Sequence, residues 1–267
     1  MLQHTFLHVP GIGEKRERDL WTRGFTDWSA FREGYPPGSW RDLILGRLDD
    51  ESAARALPAR EAWRLARAFP GRMLYLDIET TGLSLDGDAV TCIGTWGGQG
   101  VRAFVRGWDL DRFPDALAEV SLLVTYNGSS FDLPVLRRAF PDVDFDRFHH
   151  IDLRSPLRRL GVRGGLKGAE RQLGIERPEE LAGVDGFTAV LLWQEHLAGH
   201  PTALDTLVRY CLEDVVNLVP LLALSFNRLT ASMPLGIEPM AATARPEIPY
   251  AADPELVGAL ARKRAWA

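Results

Sequence analysis

An apolar segment that ends in two acids, one residue apart, has the sequence Met73-Leu74-Tyr75-Leu76-Asp77-Ile78-Glu79-Thr80-Thr81-Gly82. Side chains of an extended strand alternate between two faces, so Asp77 and Glu79 lie on one face and the apolar residues beside them enter the packed layer. Two carboxylates in one small site favour a hard divalent cation, Mg²⁺ or Mn²⁺, over zinc. The alternative is a strand end at which the acids only begin a turn, and the segment alone leaves both interpretations open.

Composition and charge limit the class of protein. The chain has 267 residues, 25% of them charged and 9% aromatic, which is ordinary for a globular protein. Cys92 and Cys211 form no CxxC pattern, so we expect buried packing residues rather than a disulfide framework or a zinc site. The first residues lack a signal-peptide pattern and no apolar run approaches the ~20 residues of a membrane span, which favours a cytoplasmic protein without a membrane partner. The net charge of −5 argues against a broadly basic coat but not against local basic patches.

A glycine turn, Pro10-Gly11-Ile12-Gly13, precedes a predicted helix that Gly24 ends. This order resembles the helix-hairpin-helix motif, in which backbone N–H groups at a helix start bind a phosphate without reading sequence. Gly11 and Gly13 are therefore candidate nucleic-acid-binding residues, and an ordinary helical turn is the alternative. A single copy of the motif normally needs a partner hairpin, and the sequence shows no second copy.

Hydrophobic spacing and breaker residues predict three parts of the chain. Residues 1–70 are predicted to form a helical N-terminal domain that ends at Pro70-Gly71. Residues 71–229 begin with three antiparallel strands and continue with alternating helices and strands, which is a three-layer α/β pattern with active groups at strand ends. Residues 230–267 are predicted to be a loosely packed Pro/Ala-rich tail with a short final helix.

A glycine and a proline predict a turn between two strands and a break in a helix. We expect Gly87 to lie in the turn between the first two strands. Pro220 follows a helix predicted to begin at Ala203, and we expect a kink or a fresh start there because proline removes a backbone hydrogen bond.

Two further motifs carry candidate chemistry. Asp132 lies near a predicted helix start after a strand and a Gly-Ser turn, where it can be aimed over the sheet edge or can cap the helix. Tyr210 and Asp214 are four residues apart and share one face of a predicted helix, while Cys211 faces another way. Alone, such a pair is usually a solvated helix face.

The three motifs, taken in order along the chain, resemble the three exonuclease motifs of the DEDD family of ribonuclease-H-like nucleases. They are Asp-x-Glu on a strand, Asp at a strand-to-helix turn and Tyr-x-x-x-Asp on a late helix. Tyr210 indicates the tyrosine subclass, because the histidine subclass has His five residues before the last Asp, where this chain has Arg209. The helical N-terminal region, with Pro10-Gly11-Ile12-Gly13, and residues 166–170 also resemble the YprB-type branch of this superfamily. The wider resemblance therefore covers most of the chain up to about residue 229. One departure is Cys211, where that branch has a polar Asn.

The resemblance implies a ribonuclease-H-like three-layer fold with a mixed sheet, preceded by a small helical domain. It also implies two-metal hydrolysis of phosphodiester bonds, with two Mg²⁺ or Mn²⁺ ions ~3.5–4 Å apart. The implied metal ligands are Asp77, Glu79, Asp132 and Asp214. Tyr210, whose ordinary pKa is ~10, would orient the attacking water rather than act as a base. Loss of any one acid is expected to be severe, and Tyr210→Phe milder.

Candidate nucleic-acid contacts lie between the second and third motifs. Residues 154–171 contain many basic side chains and one acid, which predicts a phosphate-backbone track or, alternatively, a solvated helix face. The candidates in this run are Arg158, Arg159, Arg163 and Lys167. Asn127 either binds substrate or stabilises its turn, and Asp152 either approaches the metals or caps local structure. His149 and His150 should point to opposite faces of a strand, so they are not expected to chelate one metal.

We therefore predict a metal-dependent exonuclease acting on single-stranded ends of DNA or RNA, with 3′–5′ polarity implied by the resemblance alone. One rival is a catalytically silent ribonuclease-H-like module that binds nucleic acid without cutting it. Another is a nuclease subunit of a larger repair or processing complex with a helicase or polymerase partner, because the chain has no Walker-type Gly-Lys-Ser/Thr loop. The sequence does not choose between the two sugars.

Overall fold

The N-terminal region is helical, as predicted, and packs on one face of the central sheet. In the computed structural model, which describes residues 1–82 and 89–265, its α-helices are α1 (Glu14–Thr22), α2 (Trp28–Gly34), α3 (Ser39–Leu45) and α4 (Asp50–Ala56). An aspartate begins each of α2 and α4 by accepting a hydrogen bond from a backbone N–H in the first turn. A 3₁₀ turn at Leu2–His4 precedes these helices, and a longer 3₁₀ helix follows them at Ala59–Arg67.

A buried ion-pair network joins the long 3₁₀ helix to α1. Arg64 has a side chain that is 1% exposed, and it contacts Glu17 Oε2 at 2.9 Å and Glu61 Oε2 at 3.0 Å. Glu17 also accepts hydrogen bonds from Thr5 Oγ1 and from the backbone N–H of Phe6, both at 2.8 Å. Because each charge meets opposite charge or hydrogen-bond donors, the network can stay buried and tie three segments of the sequence together.

The central sheet is mixed, which confirms the predicted fold class. Its strands are β1 (Met73–Thr80), β2 (Val90–Gly97), β3 (Gly100–Val105), β4 (Leu122–Thr125) and β5 (His149–Asp152). The strand order is β3-β2-β1-β4-β5; β1, β2 and β3 are antiparallel neighbours, whereas β4 and β5 run parallel to β1. Parallel neighbours need crossover connections, and helices supply them here. The turn predicted at Gly87 lies outside the described residues.

Helices on both faces of the sheet complete three layers. They are α5 (Phe113–Ala116), α6 (Asp132–Ala139), α7 (Arg154–Arg159), α8 (Leu166–Leu173), α9 (Gly186–Leu197), α10 (Ala203–Ala231) and α11 (Pro254–Ala265). Leu76 and Ile78 of β1 pack into one core with Phe113 of α5 and Leu136 of α6. On the opposite face, α10 packs against β1 and β2. The face of β1 that carries Asp77 therefore lies under α10.

Helix α10 is longer than predicted and does not start afresh at Pro220, which lies inside it. Proline removes one helical hydrogen bond and crowds the preceding turn. Most residues of α10 are buried, and this packing offsets the local cost of the proline.

The segment that follows α10 runs back beside it with defined contacts. Asn227 Nδ2 donates a hydrogen bond to the carbonyl of Met240 at 3.0 Å, and the backbone N–H of Met240 donates to Asn227 Oδ1 at 2.6 Å. Thr202 Oγ1 donates to Asp253 Oδ2 at 2.6 Å. At these points the segment is pinned rather than loosely packed. The three-part division at residues 70 and 229 stays a prediction.

Candidate active site

The acids of β1 lie where β2 allows a helix to come close. Asp77 is paired in register with Gly94 of β2. A Cβ atom at Gly94 would lie 2.9 Å from Cys211 Sγ and 2.9 Å from Val215 Cγ2, both on α10. Only glycine leaves room for this approach, so Gly94 allows α10 to reach the face of β1 that carries the acids.

Helix α10 brings the third motif to the same place. Tyr210 and Asp214 are both buried, and each lies close enough to Asp77 and Glu79 to affect their charges. Cys211 also belongs to this cluster, because its Sγ and a carboxylate oxygen from each β1 acid lie within 4.8 Å of one another. Its Sγ lies 3.7 Å from the backbone oxygen of Asp77, a proximity that the helix-face argument did not predict.

Asp132 joins the cluster from the first turn of α6. Its carboxylate accepts hydrogen bonds from its own backbone N–H and from that of Ile78, which lies between the two acids of β1. The turn before α6 is tight, since a Cβ at Gly128 would lie 2.2 Å from Thr125 Oγ1. The structure thus brings together the residues of all three motifs: Asp77, Glu79, Asp132, Tyr210 and Asp214.

The buried acids raise one another's pKa. Burial is the largest cause for Asp77 and Glu79 and the charge of Asp214 is the next, so both carboxyls have a pKa well above the ordinary range. Burial also raises the pKa of Asp132 to about 7, although its backbone N–H donors oppose the shift. Divalent cations would supply positive charge here, and carboxylate oxygens are the donors that Mg²⁺ and Mn²⁺ prefer. The donor set therefore fits these ions.

The pKa of Asp132 gives the metal-free protein an expected pH dependence of stability. This pKa is ~3.9 for an unfolded Asp and about 7 in the fold. Between these two pH values the native state binds more protons than the unfolded state, so the protein loses stability as pH rises from the lower value to the higher one. Without metal, the unfolding temperature should be higher at about pH 5 than at about pH 8, and Mn²⁺ should raise it more at the higher pH. Thermal unfolding followed by circular dichroism measures both effects. Asp132→Asn should reduce the pH difference; an undiminished difference would contradict the assignment.

Arg177 enters the site although no motif indicated it. Its Nε and Nη2 donate hydrogen bonds to Glu170 at 2.5 and 2.6 Å, and Nη2 also lies 2.5 Å from Asp214 Oδ1. Burial opposes the charge of Arg177, but Asp214 and Glu170 outweigh it and raise its pKa above the ordinary value. Arg177 lies outside every motif in the sequence, and no periodicity links it to Asp214.

Lys167 lies inside the acid cluster rather than on an exposed basic track. Its Nζ is buried 4.5 Å from the centroid of the Tyr210 ring, and it has no hydrogen-bond acceptor in the part of the chain that the structure describes. Burial lowers the pKa of Lys167, whereas Asp214 opposes this change. The predicted surface track therefore does not include this residue, because α8 directs its side chain towards α10.

An open cleft of about 550 Å³ connects the acids to basic side chains. Its lining includes Asp77, Asp214, Asn127, Arg154, Arg158 and Arg163. A neighbouring cleft of about 410 Å³ shares three of these residues and adds Arg60 from the N-terminal region. Arg158 and Arg163 are exposed, and their guanidinium groups have no ion-pair partner among residues 1–82 and 89–265. Both are therefore available to an anion.

Arg159 has a different environment from its neighbour Arg158. It forms ion pairs with Glu61 and, at 3.4 Å, with Glu14, both in the N-terminal region. Successive residues of a helix point about 100° apart, so Arg158 faces the cleft and Arg159 does not. The geometry contradicts the predicted place of Arg159 in the track.

Asn127 and Asp152 stabilise the turn before α6. Asn127 has a left-handed backbone with φ of +67°, and its N–H donates to Asp152 Oδ1 at 2.7 Å. Asp152 also accepts hydrogen bonds from the N–H groups of Ser129 and Arg154, at 3.2 and 3.1 Å. With three backbone donors, Asp152 acts as a structural cap. Its charge also raises the pKa of Asp132, and a role at the metals stays a prediction. Asn127 stabilises the turn and also lines the cleft.

The adjacent histidines point in opposite directions, as expected for a strand. His149 stacks on Phe69 with the ring centroids 4.8 Å apart. His150 Nε2 lies 2.9 Å from Thr125 Oγ1. They do not share a metal site.

The glycine loop before α1 has the expected backbone. Gly11 has a φ of +83° and Gly13 precedes the first residue of α1. Arg16 Nη1 donates to the carbonyl of Gly11 at 2.6 Å, and the acid Glu14 occupies the start of α1, where a phosphate would otherwise benefit from the helix dipole. A 3₁₀ turn at Leu2–His4 precedes the loop. Phosphate binding by the loop stays a prediction.

Comparison with protein families identifies the class of this fold. Residues 74–225 match the RNase_H superfamily. The match covers more than half of the chain, and the chain belongs to this superfamily.

Comparison with solved structures finds a resemblance to the family B DNA polymerase from the hyperthermophilic archaeon Pyrobaculum calidifontis, with 22% identity and a TM-score of 0.46. The alignment covers 58% of this chain and 24% of the polymerase, so the chain spans about a quarter of that protein. A likeness at this level supports no functional argument. The comparison with curated proteins returned no match.

Among the described residues, no helix is both long enough and apolar enough to cross a membrane.

Proposed function

We propose that this protein is a metal-dependent DEDD-type exonuclease of the tyrosine subclass, which hydrolyses phosphodiester bonds at single-stranded nucleic-acid ends with 3′–5′ polarity. The observation that carries the proposal is the convergence of four acids from three distant segments at the wall of a basic cleft. Membership of the RNase_H superfamily supports nuclease chemistry. The order of the motifs supports the tyrosine subclass and the YprB-type branch, and the polarity rests on that resemblance alone.

The proposed chemistry needs two divalent cations, which would stabilise the charge on the attacking and leaving oxygens of the phosphodiester. Their proposed ligands are Asp77, Glu79, Asp132 and Asp214. Burial and Asp214 raise the pKa of Tyr210, so its hydroxyl stays protonated and would orient the attacking water by a hydrogen bond. The buried ammonium of Lys167, which lacks an acceptor among the described residues, would donate to an oxygen of the scissile phosphate.

The nucleic acid is proposed to follow the basic cleft away from the acids. Arg158 and Arg163 would bind its phosphates next to the site. Contacts of this kind hold the strand without reading its bases, which suits an enzyme that shortens ends of any sequence.

Arg158→Ala and Arg163→Ala should each weaken the binding of a single-stranded oligonucleotide. Each lost phosphate contact should also reduce the slope of log K against log salt by about 0.7. Fluorescence anisotropy in EDTA measures both without cleavage. Arg171→Ala is the matched control, because Arg171 belongs to the same basic run but does not line the cleft. Equal weakening by all three changes would show that only overall charge matters.

The test of the proposed function is a cleavage assay with the full chain. With Mn²⁺ or Mg²⁺, a 5′-labelled single-stranded oligonucleotide should shorten stepwise from its 3′ end. DNA and RNA run side by side would identify the preferred sugar. Binding of the oligonucleotide without shortening, in the presence of metal, would favour a silent binding module instead.

A further inference from the structure

A continuous chain of side-chain contacts links the segment after α10 to Asp214. Its members, in spatial order, are Arg245, Asn217, Glu170, Arg177 and Asp214. Arg245 Nη1 donates to Asn217 Oδ1 at 2.9 Å, and Asn217 Nδ2 donates to Glu170 Oε1 at 2.9 Å. Glu170 then accepts both hydrogen bonds from Arg177, which contacts Asp214. Asn217 is 0% exposed and Glu170 1% exposed, so water does not substitute for these partners.

Arg245 and Glu170 hold the Asn217 amide from its two ends. An amide has a donor end and an acceptor end, and the Arg245 guanidinium can only donate. It therefore favours Oδ1 towards Arg245, and the Glu170 carboxylate favours Nδ2 towards itself. In the opposite orientation the amide oxygen would face the Glu170 carboxylate, which also has no proton to donate.

Arg245 supports the same part of α10 through a second contact. It forms an ion pair with Glu213, which is fully buried and directly precedes Asp214. Arg209 also pairs with Glu213, at 3.1 Å, but it lies one turn away on α10 itself. Of the two arginines that pair with Glu213, Arg245 lies in the segment after α10, and 44% of its side chain is exposed.

We propose that Arg245 is a positioning residue for Asp214, and that the C-terminal segment therefore completes the metal site. The inference rests on the proposed function, in which Asp214 is a metal ligand. Groups that orient a metal ligand commonly change metal affinity 10–100-fold when they are removed. Loss of Arg245 would leave the buried Asn217 Oδ1 without its donor and Glu213 with one cation fewer. Both changes would loosen the contacts of Glu170 and Arg177 and leave Asp214 less well oriented.

Isothermal titration of the full chain with Mn²⁺ tests the inference without relying on activity. Arg245→Ala should raise the Kd for Mn²⁺ by about tenfold. Arg228→Ala, an exposed arginine on α10 with the same change of charge, should leave the Kd unchanged. Arg245→Lys should give an intermediate Kd, because it keeps the charge beside Glu213 but loses the planar pair of donors.

A double-mutant cycle tests whether Arg245 acts through Asn217. If it does, Arg245→Ala should add little to the rise in Kd already caused by Asn217→Ala. A wild-type Kd in both Arg245 variants would overturn the inference. Full additivity with Asn217→Ala would instead assign the effect of Arg245 to its contact with Glu213. Should Arg245→Ala unfold, the Kd of Arg245→Lys decides. Absence of Mn²⁺ binding by the wild-type chain would instead contradict the proposed function.

Discussion

Asp77→Asn is expected to slow the shortening of a labelled oligonucleotide by at least about 10³-fold. Besides burial, the charges of the other three acids raise the pKa of Asp77, so its carboxylate lies among them. These acids are Asp214, Asp132 and Glu79. An amide of the same shape carries no charge and is a poorer ligand for a hard divalent cation. Timed samples with Mn²⁺ in excess, separated on a denaturing gel, measure the rate.

The same change should leave the fold intact. Replacing a carboxylate by an amide removes one charge from a group of buried acids that repel one another, so the metal-free protein should be as stable as the wild type or more stable. Asp142→Asn, at an exposed acid outside the site, is the control and should cleave at the wild-type rate. A rate for Asp77→Asn close to that of Asp142→Asn would remove Asp77 from the catalytic residues.

Arg64→Leu is expected to lower the free energy of unfolding by about 3–5 kcal/mol. The change would leave Glu17 and Glu61, both almost fully buried, without their shared cation. It would also remove the hydrogen bond from Arg64 to Thr5 Oγ1 at 2.9 Å. Equilibrium unfolding in urea measures the loss.

An exposed ion pair provides the control for this prediction. Arg55 pairs with Glu51 one turn away on α4 at 3.2 Å, and both side chains are largely exposed. Arg55→Leu should therefore change the free energy of unfolding by no more than about 0.5 kcal/mol. If the two substitutions had similar effects, the buried network would contribute little and packing alone would hold the N-terminal region to the sheet.

Local features of the sequence predicted much of the sheet and the candidate site. The alternation of side chains along β1 placed Asp77 and Glu79 on one face, because strand periodicity is a property of the backbone. Short connections predicted antiparallel neighbours for β2 and β3, because parallel strands need a longer crossover. The one-turn spacing of Tyr210 and Asp214 was likewise readable as a shared helix face. At the level of sequence, only the family resemblance indicated that these motifs meet in one site.

Only the tertiary structure decided which partners these residues meet. Gly94 matters because α10 crosses it, and Lys167 points into the acids because α8 packs beside α10. Arg158 and Arg159 are adjacent in sequence, yet one lines the cleft and the other pairs with the N-terminal region.

The contacts of Arg177 and Arg245 with α10 and its neighbours join residues far apart in the chain. Periodicity and turn residues therefore determined the strands, most of the helices and the faces on which the acids lie. The burial, pairing and orientation of single charged groups were decided by packing between distant elements, because the energy of a charge depends on everything around it and not on its neighbours in sequence.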